Sequence, residues 1–192
     1  MGRPFHGADS HYSGVAMKFL ATRLPGVFLI QPEWKEDERG GFARNFCRQE
    51  FDAHGLNPDI SQCNISFNRH RGTLRGLHYQ ADPYGEDKLV RCSAGAVYDV
   101  ALDLRQKSPT YRFWMATELT AVNRHMLYIP VGVAHGFLTL QDDTEIFYQM
   151  SVPWHPEAAR GIRWNDPTFS VIWPEDEPII SVRDRSYPDF AP

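Results

Sequence analysis

Residues 72–80 read GTLRGLHYQ and place one histidine, His78, in a segment with the spacing of a β-strand. An imidazole in such a place can be a buried structural group, a metal ligand or a base that removes a proton. Strict alternation along a regular strand puts His78 on the face of Gly76 and Gln80, and Arg75 on the opposite face. Arg75 and His78 therefore serve one site only if the strand kinks near Gly76.

A second histidine lies in IPVGVAHGF (129–137), whose P-x-G-x-x-H spacing, ending at His135, is that of the second half of a cupin motif. In metal-dependent cupins this histidine joins an H-x-H pair and an acid from the first half. Here His78 is followed two positions later by Gln80, so a glutamine replaces one histidine. The nearest acids are Asp82, Glu86 and Asp87. This ligand set is a poor one for a transition metal, so we expect no metal.

Two other side chains have the chemistry of a site but ambiguous surroundings. Tyr148, in EIFYQMSV, shares a strand face with Ile146, Met150 and Val152. It is either a core tyrosine with a satisfied hydroxyl or a functional group that faces inward. Asp184, in SVRDR, has basic neighbours and by itself indicates only a solvated charge cluster.

Composition narrows the class of protein. The chain has 192 residues, 42% of them hydrophobic, and a net charge of −4, which argues against general nucleic-acid affinity and against a polybasic membrane patch. No stretch approaches the roughly 20 apolar residues of a membrane span, and the opening residues lack a signal peptide's apolar core. The cysteines, Cys47, Cys63 and Cys92, have no metal-ligand spacing and suit a reducing compartment. We therefore expect a cytoplasmic protein.

Period-two alternation bounded by turns recurs along the chain and predicts an all-β fold, a jelly-roll barrel or sandwich with a few short helical turns. Residues 1–16 are expected to be a flexible extension and residues 17–192 a single domain. Single helical turns are predicted at Thr120–Arg124 and Asn165–Phe169. The predicted strands are Gly26–Ile30, Gly41–Phe51, Ser61–Phe67, Leu74–Gln80, Leu89–Ser93, Val97–Leu104, Phe113–Leu119, His135–Leu140 and Glu145–Val152.

Taken together, several long segments resemble the dTDP-4-dehydrorhamnose 3,5-epimerase family, the nucleotide-sugar epimerases of the cupin superfamily. They follow the family's order and cover nearly everything from about residue 20 onward. The segments are DERGGFARNF (37–46), SQCNISFNRHRGTLRGLHYQ (61–80), KLVRCSAGAVYDVALDLRQKSPTY (88–111), LYIPVGVAHGF (127–137), GIRWNDP (161–167) and SVRD (181–184).

The resemblance implies chemistry without metal or cofactor on a 4-keto-6-deoxyhexose linked to a nucleoside diphosphate. A ketone at C4 acidifies the hydrogens at C3 and C5, because the carbanion left behind is delocalised as an enolate. A base must remove the proton, a cation or donor must stabilise the oxyanion, and an acid must return a proton on the opposite face. The resemblance also implies a homodimer in which a strand of one subunit extends the partner's sheet, with Gly41–Phe51 as the expected source.

Matching positions imply a role for each site residue. His78 falls on the family's base and Asp184 on the carboxylate that orients it. Lys88 falls on the lysine beside the enolate oxygen, and Tyr148 on the proton donor. The implied substrate-binding positions are Arg39 and Arg75, which hold the diphosphate or nucleotide, together with Gln62, Asn64, His135, Trp154 and Arg183.

Two departures from the family's pattern leave the substrate open. Trp154 stands where the family usually has a tyrosine that stacks on thymine, and Ala158 and Ala159 stand where it tends to have a glutamate. The alternatives are an epimerase or ketoisomerase acting at a single centre of a related nucleotide sugar, a non-catalytic sugar-binding cupin and a metal-dependent cupin oxygenase.

Overall fold

The computed structural model of the chain describes residues 14–191, and the regular secondary structure of this part is almost entirely β-strand. Two short helices are present in this part of the chain, α1 (Arg48–Ala53) and α2 (Val182–Arg185). In chain order the strands are β1 (Met17–Ala21), β2 (Phe28–Pro32), β3 (Lys35–Asp37), β4 (Gly40–Phe42), β5 (Gln62–Asn68), β6 (Thr73–Gln80), β7 (Lys88–Ala94), β8 (Ala96–Asp103), β9 (Trp114–Thr120), β10 (Met126–Ile129), β11 (Val133–Thr139), β12 (Thr144–Met150), β13 (Ala159–Gly161) and β14 (Ile179–Ile180).

Two antiparallel sheets make up a sandwich. The first has the strand order β1-β2-β10-β7-β12-β5, and the second has the order β13-β6-β11-β8-β9. The short strand β14 adds to β6 in parallel, and β3 and β4 form a separate hairpin. The predicted all-β sandwich is confirmed. Neither helix within residues 14–191 has the length and apolar character needed to cross a bilayer.

Alternation along β8 shows how the sequence pattern builds the core. Val97 and Ala101 point between the two sheets, whereas Val100 and Leu102 point to the outer face of the second sheet. This alternation follows from the sequence of Val97–Leu104, in which Val97, Asp99 and Ala101 fall on one face and Val100 and Leu102 on the other. It also directs Asp99 inward, where its side chain is fully buried.

Hydrophobic clusters fill the space between the sheets, cover the outer face of the second sheet and cover part of the outer face of the first. The central cluster includes Val90, Leu127 and Ile146, one from each of three strands of the first sheet. The C-terminal segment covers the second sheet with Phe169 and Trp173. A third cluster packs the first sheet against α1. Polar side chains that point inward are therefore held between two packed layers.

One predicted strand is wrong. Within Gly41–Phe51 the chain leaves the sheet after Phe42, runs as a loop and enters α1 at Arg48. Phe51 packs from α1 and Phe46 from the loop before it, and both lie in the cluster under α1. Short apolar runs do not distinguish a strand from a one-turn helix, and here the tertiary packing decided.

The predicted helical turns are hydrogen-bonded turns. The Arg124 amide donates to the Thr120 carbonyl at 3.0 Å, and the Phe169 amide donates to the Asp166 carbonyl at 3.2 Å. The predicted flexible extension falls, for residues 1–13, outside the described residues, and Val15 after them is buried.

Candidate active site

A cavity of about 760 Å³ opens between the two sheets. Strands β5, β7 and β12 supply one wall, β6 and β11 supply the other, and the segment from β14 into α2 borders it. It brings together side chains that are up to 120 positions apart in the chain. The predicted site residues that line it are Asn64, Arg75, His78, Lys88, His135, Tyr148 and Asp184.

A bulge in β6 places Arg75 and His78 on the same wall. His78 pairs with His135 of β11, but Arg75 pairs with Phe137, so β6 has one residue more than its partner over this stretch. The extra residue falls at Gly76, which has a φ of +125°. A Cβ there would lie 2.5 Å from the Cα of Gly136, so only glycine fits. The kink that the sequence left open is present.

His78 forms a dyad with Asp184. Nε2 of His78 lies 2.7 Å from Oδ1 of Asp184, and the Gly76 amide donates to Oδ2 at 3.4 Å. Burial alone would raise the pKa of Asp184, but the hydrogen bond and charge of His78 and the Gly76 and Ser181 contacts hold it below its usual value. Since Nε2 faces the carboxylate, Nδ1 is the ring nitrogen left to accept a proton.

Local sequence explains how Asp184 reaches that position. Ser181 caps α2, because its hydroxyl accepts a hydrogen bond from the Asp184 amide at 3.0 Å. The S-x-x-D spacing of SVRD is that of a capping box, and it predicts a helix start. Because β14 pairs with the first half of β6, the helix that follows lies beside Gly76 and turns Asp184 toward His78.

Tyr187 stands beside the dyad, and the sequence did not indicate it. Its ring centroid lies 6.4 Å from that of His78, nearly edge-on at 72°. Gly161, which pairs with His78 in the sheet, leaves room for the tyrosine, since a Cβ there would lie 2.1 Å from the Tyr187 ring. Arg183 donates from Nε to the Tyr187 hydroxyl at 2.9 Å. Arg183 therefore packs on Tyr187 rather than lining the cavity.

A second histidine–carboxylate pair lies deeper in the sandwich. Nε2 of His135 is 2.9 Å from Oδ2 of Asp99 on the neighbouring strand. Oδ1 of Asp99 is buried and has no hydrogen-bond partner among residues 14–191. The sequence pattern puts Asp99 on the strand face opposite Val100 and Leu102, but it did not pair Asp99 with His135, since nothing in the spacing indicates which strands are adjacent.

Lys88 is held by an acid that was considered only as a metal ligand. Nζ of Lys88 lies 2.8 Å from Oε1 of Glu86, and both side chains are buried. Nε2 of Gln80 lies 3.4 Å from Oε2 of Glu86 and 3.3 Å from the Pro153 carbonyl. Gln80 is the glutamine at the second-histidine position of the motif. It therefore connects the Lys88–Glu86 ion pair to the loop that follows β12.

Tyr148 projects from β12 into the cavity, on the inward face that the sequence predicted. Burial, together with the negative charge of Asp99, raises the pKa of its phenol well above the ordinary value, although Arg75 and the Ser66 hydroxyl oppose the shift. Its ring is 6.2 Å from that of His135, at 77°. A phenol with a raised pKa stays protonated at neutral pH and can give a proton to a carbanion.

Arg75 differs from the other basic side chains of the cavity. Its Nε donates to Oδ1 of Asn68 at 2.7 Å, and within residues 14–191 it makes no ion pair. Lys88, His78 and His135 each face a buried carboxylate. The uncompensated positive charge of the cavity is therefore that of Arg75, and a guanidinium is well suited to a phosphate.

Three more predicted residues do not line the cavity. Arg39 lies at the turn of the β3–β4 hairpin, where it pairs with Asp37. Gln62 accepts a hydrogen bond at Oε1 from the Trp154 amide at 3.1 Å, so it fixes the loop that carries Trp154 and does not line the cavity. The Trp154 ring is half exposed on that loop.

No group of three or more His, Cys, Asp or Glu side chains in the described range 14–191 is arranged to hold a metal ion. His78 and His135 are each engaged with a different carboxylate instead. A site without metal or cofactor stays a prediction of the resemblance.

Comparison with known proteins decides the family. The family model described as dTDP-4-dehydrorhamnose 3,5-epimerase matches residues 21–192. The chain belongs to this family. A dTDP-4-dehydrorhamnose 3,5-epimerase of Shigella flexneri is 40% identical over 176 residues, which cover 91% of this chain and 97% of that one.

Solved structures of the family agree in fold. The dTDP-4-dehydrorhamnose 3,5-epimerase of Elizabethkingia anophelis superposes with a TM-score of 0.88 at 37% identity, covering 91% of this chain and 96% of that one. The enzyme of Bacillus anthracis, solved with TDP and PPi bound, also has a TM-score of 0.88, at 35% identity, covering 91% of this chain and 100% of that one. The family assignment and the cupin-like jelly-roll sandwich predicted from the sequence are confirmed.

Proposed function

We propose that this member of the dTDP-4-dehydrorhamnose 3,5-epimerase family inverts C3 and C5 of a nucleoside-diphosphate 4-keto-6-deoxyhexose. The observation that carries the proposal is the His78–Asp184 dyad, which shares one cavity with Lys88 and Tyr148. A base, a cation and an acid are the groups that proton removal beside a ketone requires.

His78 acts as the base. Its Nδ1 lone pair takes the proton from the carbon next to the ketone, and the electrons of the C–H bond move into the enolate. Asp184 fixes the tautomer by accepting from Nε2 at 2.7 Å and stabilises the imidazolium that forms. The contact of Oδ2 with the Gly76 amide keeps the carboxylate in place as the charge on the ring changes.

Lys88 stabilises the enolate oxygen. One of its three N–H donors is held by Glu86 at 2.8 Å, and a second lies 3.5 Å from the His78 carbonyl. The third is available to an oxyanion in the cavity, where partial exclusion of water strengthens the interaction.

Tyr148 returns the proton. It projects from β12 of the first sheet, whereas His78 projects from β6 of the second, so the two groups flank the cavity from opposite walls. Removal from one face and return on the other inverts the carbon. Burial keeps the phenol protonated, as a donor needs to be.

The nucleoside diphosphate is assigned to Arg75 and to the loop that carries Trp154. Arg75 has no carboxylate partner among residues 14–191, so its charge is available to a diphosphate. Trp154 stacks on the base, and the Gln62 contact holds its backbone at the end of β5. The Bacillus anthracis relative, solved with TDP and PPi bound, makes dTDP the first nucleotide to test.

The proposal includes a homodimer. Strand β5 is one of the two edges of the first sheet within residues 14–191, and its outward side chains Ile65 and Phe67 are 64% and 50% exposed. An exposed apolar edge strand offers unpaired backbone N–H and C=O groups with which a second chain can pair. Arg39, on the β3–β4 hairpin outside its own cavity, would then reach the substrate only across such an interface. Sedimentation at the monomer mass would contradict this part of the proposal.

Incubation with dTDP-4-keto-6-deoxyglucose in deuterated water tests the function. We expect deuterium at both C3 and C5, since each inversion passes through an enolate that is reprotonated from a group in exchange with solvent. Label at one carbon alone would identify a single-centre epimerase, and an unlabelled product would contradict the proposal. A parallel reaction with Asp184→Asn is expected to incorporate label far more slowly than the wild type.

A further inference from the structure

Strand β5 turns a row of polar side chains toward the inside of the sandwich. Alternation gives this face to Gln62, Asn64, Ser66 and Asn68. Asn64 and Ser66 line the cavity, and Gln62 holds the Trp154 loop. Asn68, at the far end of the row, has no role in the proposed chemistry, yet its side chain is buried.

The surroundings of Asn68 fix which way its amide points. Nδ2 donates to the Ser66 carbonyl at 3.0 Å and to the Thr144 carbonyl at 3.2 Å. Both acceptors require the NH₂ end of the amide, so the oxygen must face the other way. That oxygen, Oδ1, accepts from Nε of Arg75 at 2.7 Å. The Asn68 amide is therefore fixed with its oxygen as the acceptor, and this hydrogen bond connects the first sheet to Arg75 of the second.

The contact restrains the guanidinium without neutralising it. Arg75 is exposed to the cavity, and a free arginine side chain there would lose considerable rotamer entropy on binding an anion. Asn68 uses one of the five N–H donors and leaves the four on Nη1 and Nη2 without a partner among residues 14–191. A carboxylate at this position would hold the side chain equally well but cancel its charge, as Glu86 does for Lys88.

We propose that Asn68 is a positioning residue for the diphosphate subsite, which presets the Arg75 guanidinium so that its terminal N–H groups meet the phosphate oxygens. The inference rests on the proposed function, because it takes Arg75 as the group that binds the diphosphate. It assigns Asn68 an effect on substrate affinity and none on the proton transfers.

Calorimetric titration of Asn68→Ala tests the inference. We expect the variant to bind dTDP and inorganic pyrophosphate about tenfold more weakly than the wild type, since a hydrogen bond to a charged group is lost. Affinity for thymidine, which has no phosphate, should not change. In the enzyme assay, KM should rise by a similar factor while kcat stays within about threefold of the wild type.

Asn45→Ala is a matched control. Oδ1 of Asn45 accepts from Nη1 of Arg91 at 2.8 Å, so the variant removes another asparagine–arginine contact, one whose arginine does not line the cavity. It should leave the affinity for both phosphate ligands unchanged. An equal loss in both variants would overturn the inference.

A double-mutant cycle distinguishes positioning from a fold defect, because Asn68→Ala also releases the Ser66 and Thr144 carbonyls. In an Arg75→Ala background, Asn68→Ala should weaken pyrophosphate binding by less than about twofold. A tenfold loss in that background would show that Asn68 acts through the strand and would overturn the inference.

The Nε–H resonance of Arg75 gives a readout that does not depend on the substrate. It should be protected from solvent exchange in the wild type and lose that protection in Asn68→Ala. Equal protection in both proteins would contradict the inference. A wild type that binds neither dTDP nor pyrophosphate would instead contradict the proposed function, and the resonance would still decide the role of Asn68.

Discussion

Two histidine–carboxylate pairs lie on adjacent strands of one sheet, and they differ mainly in exposure. The imidazole of His78 is 41% exposed and its partner Asp184 comes from the C-terminal helix. The imidazole of His135 is 5% exposed and its partner Asp99 lies on the next strand. The distances are similar, 2.7 Å and 2.9 Å.

The difference shows that a hydrogen-bonded pair does not by itself make a base. A proton acceptor needs a free nitrogen that a substrate can approach, and the exposed ring of His78 meets that need. Asp184 has a partner at each oxygen, whereas Oδ1 of Asp99 has none among residues 14–191. We infer that the outer pair performs the chemistry and that the inner pair shapes the cavity wall beside Tyr148.

Asparagine substitutions at Asp184 and Asp99 should distinguish the functions of the two histidine–carboxylate pairs. Asp184→Asn removes the charge that stabilises the His78 imidazolium, so we expect kcat to fall roughly a hundredfold or more. The fold-loss of kcat in Asp99→Asn should be at least ten times smaller than that in Asp184→Asn, because His135 does not accept the substrate proton. Steady-state epimerisation assays on both variants give the comparison, and equal losses would contradict it.

Tyr148→Phe should affect inversion more than exchange. Without the phenol the enolate still forms when His78 removes the proton. The enolate then regains a proton from His78 on the original face, so the carbon is exchanged but not inverted. Inversion should therefore slow roughly a hundredfold, while deuterium incorporation falls less and dTDP affinity stays unchanged. Tyr98→Phe is the matched control, since burial also raises the pKa of the Tyr98 phenol but its ring packs against Trp173 on the other side of the sheet.

If Tyr148→Phe inverted the sugar at the wild-type rate, the proton donor would have to be another group. If exchange and inversion fell by the same factor, Tyr148 would be needed for enolate formation as well. Quantifying label in recovered substrate and in product separates these outcomes.

Asp103→Asn should change stability and leave kcat unchanged. Burial alone would raise the pKa of Asp103, but hydrogen bonds from Arg105, Ser108 and Thr110 hold it at about 2. Relative to an ordinary value of 3.8, this contributes about 2 kcal/mol to the free energy of unfolding at neutral pH.

Because the folded pKa of Asp103 is depressed, its contribution is complete above the unfolded value and is lost as the pH falls from about 4 to about 2. The difference in unfolding free energy between wild type and Asp103→Asn should therefore vanish over that range, measured by denaturant titration. A variant as stable as the wild type at pH 7 would contradict the assignment.

Sequence patterns predicted the sheets well where one face of a strand is buried. On β12 the predicted inward face of Ile146, Tyr148 and Met150 is correct, because alternation there reports burial. Strand β8 is buried on both faces, and its more apolar face turns outward. The pattern failed at β6, where the bulge at Gly76 reverses the parity between Arg75 and His78. A bulge is fixed by the close approach of Gly136 on another strand, which local sequence does not reveal.

The site residues likewise divide into those that local sequence predicts and those that it does not. His78 and Tyr148 can be proposed from residue type and strand face, but Asp184 reads as a surface charge because it lies 106 positions from its partner. Resemblance to a family supplied Asp184, and capping at Ser181 explains its placement. Glu86 and Asn68 were not predicted as site residues, since their roles depend on contacts made only after the sheets pack.

The most direct test of the central claim is deuterium exchange catalysed by His78→Ala. Substrate recovered from the variant in deuterated water should carry no enzyme-dependent label at C3 or C5, while dTDP still binds and His135→Ala still exchanges. Wild-type labelling at either carbon by His78→Ala would contradict the assignment of His78 as the base.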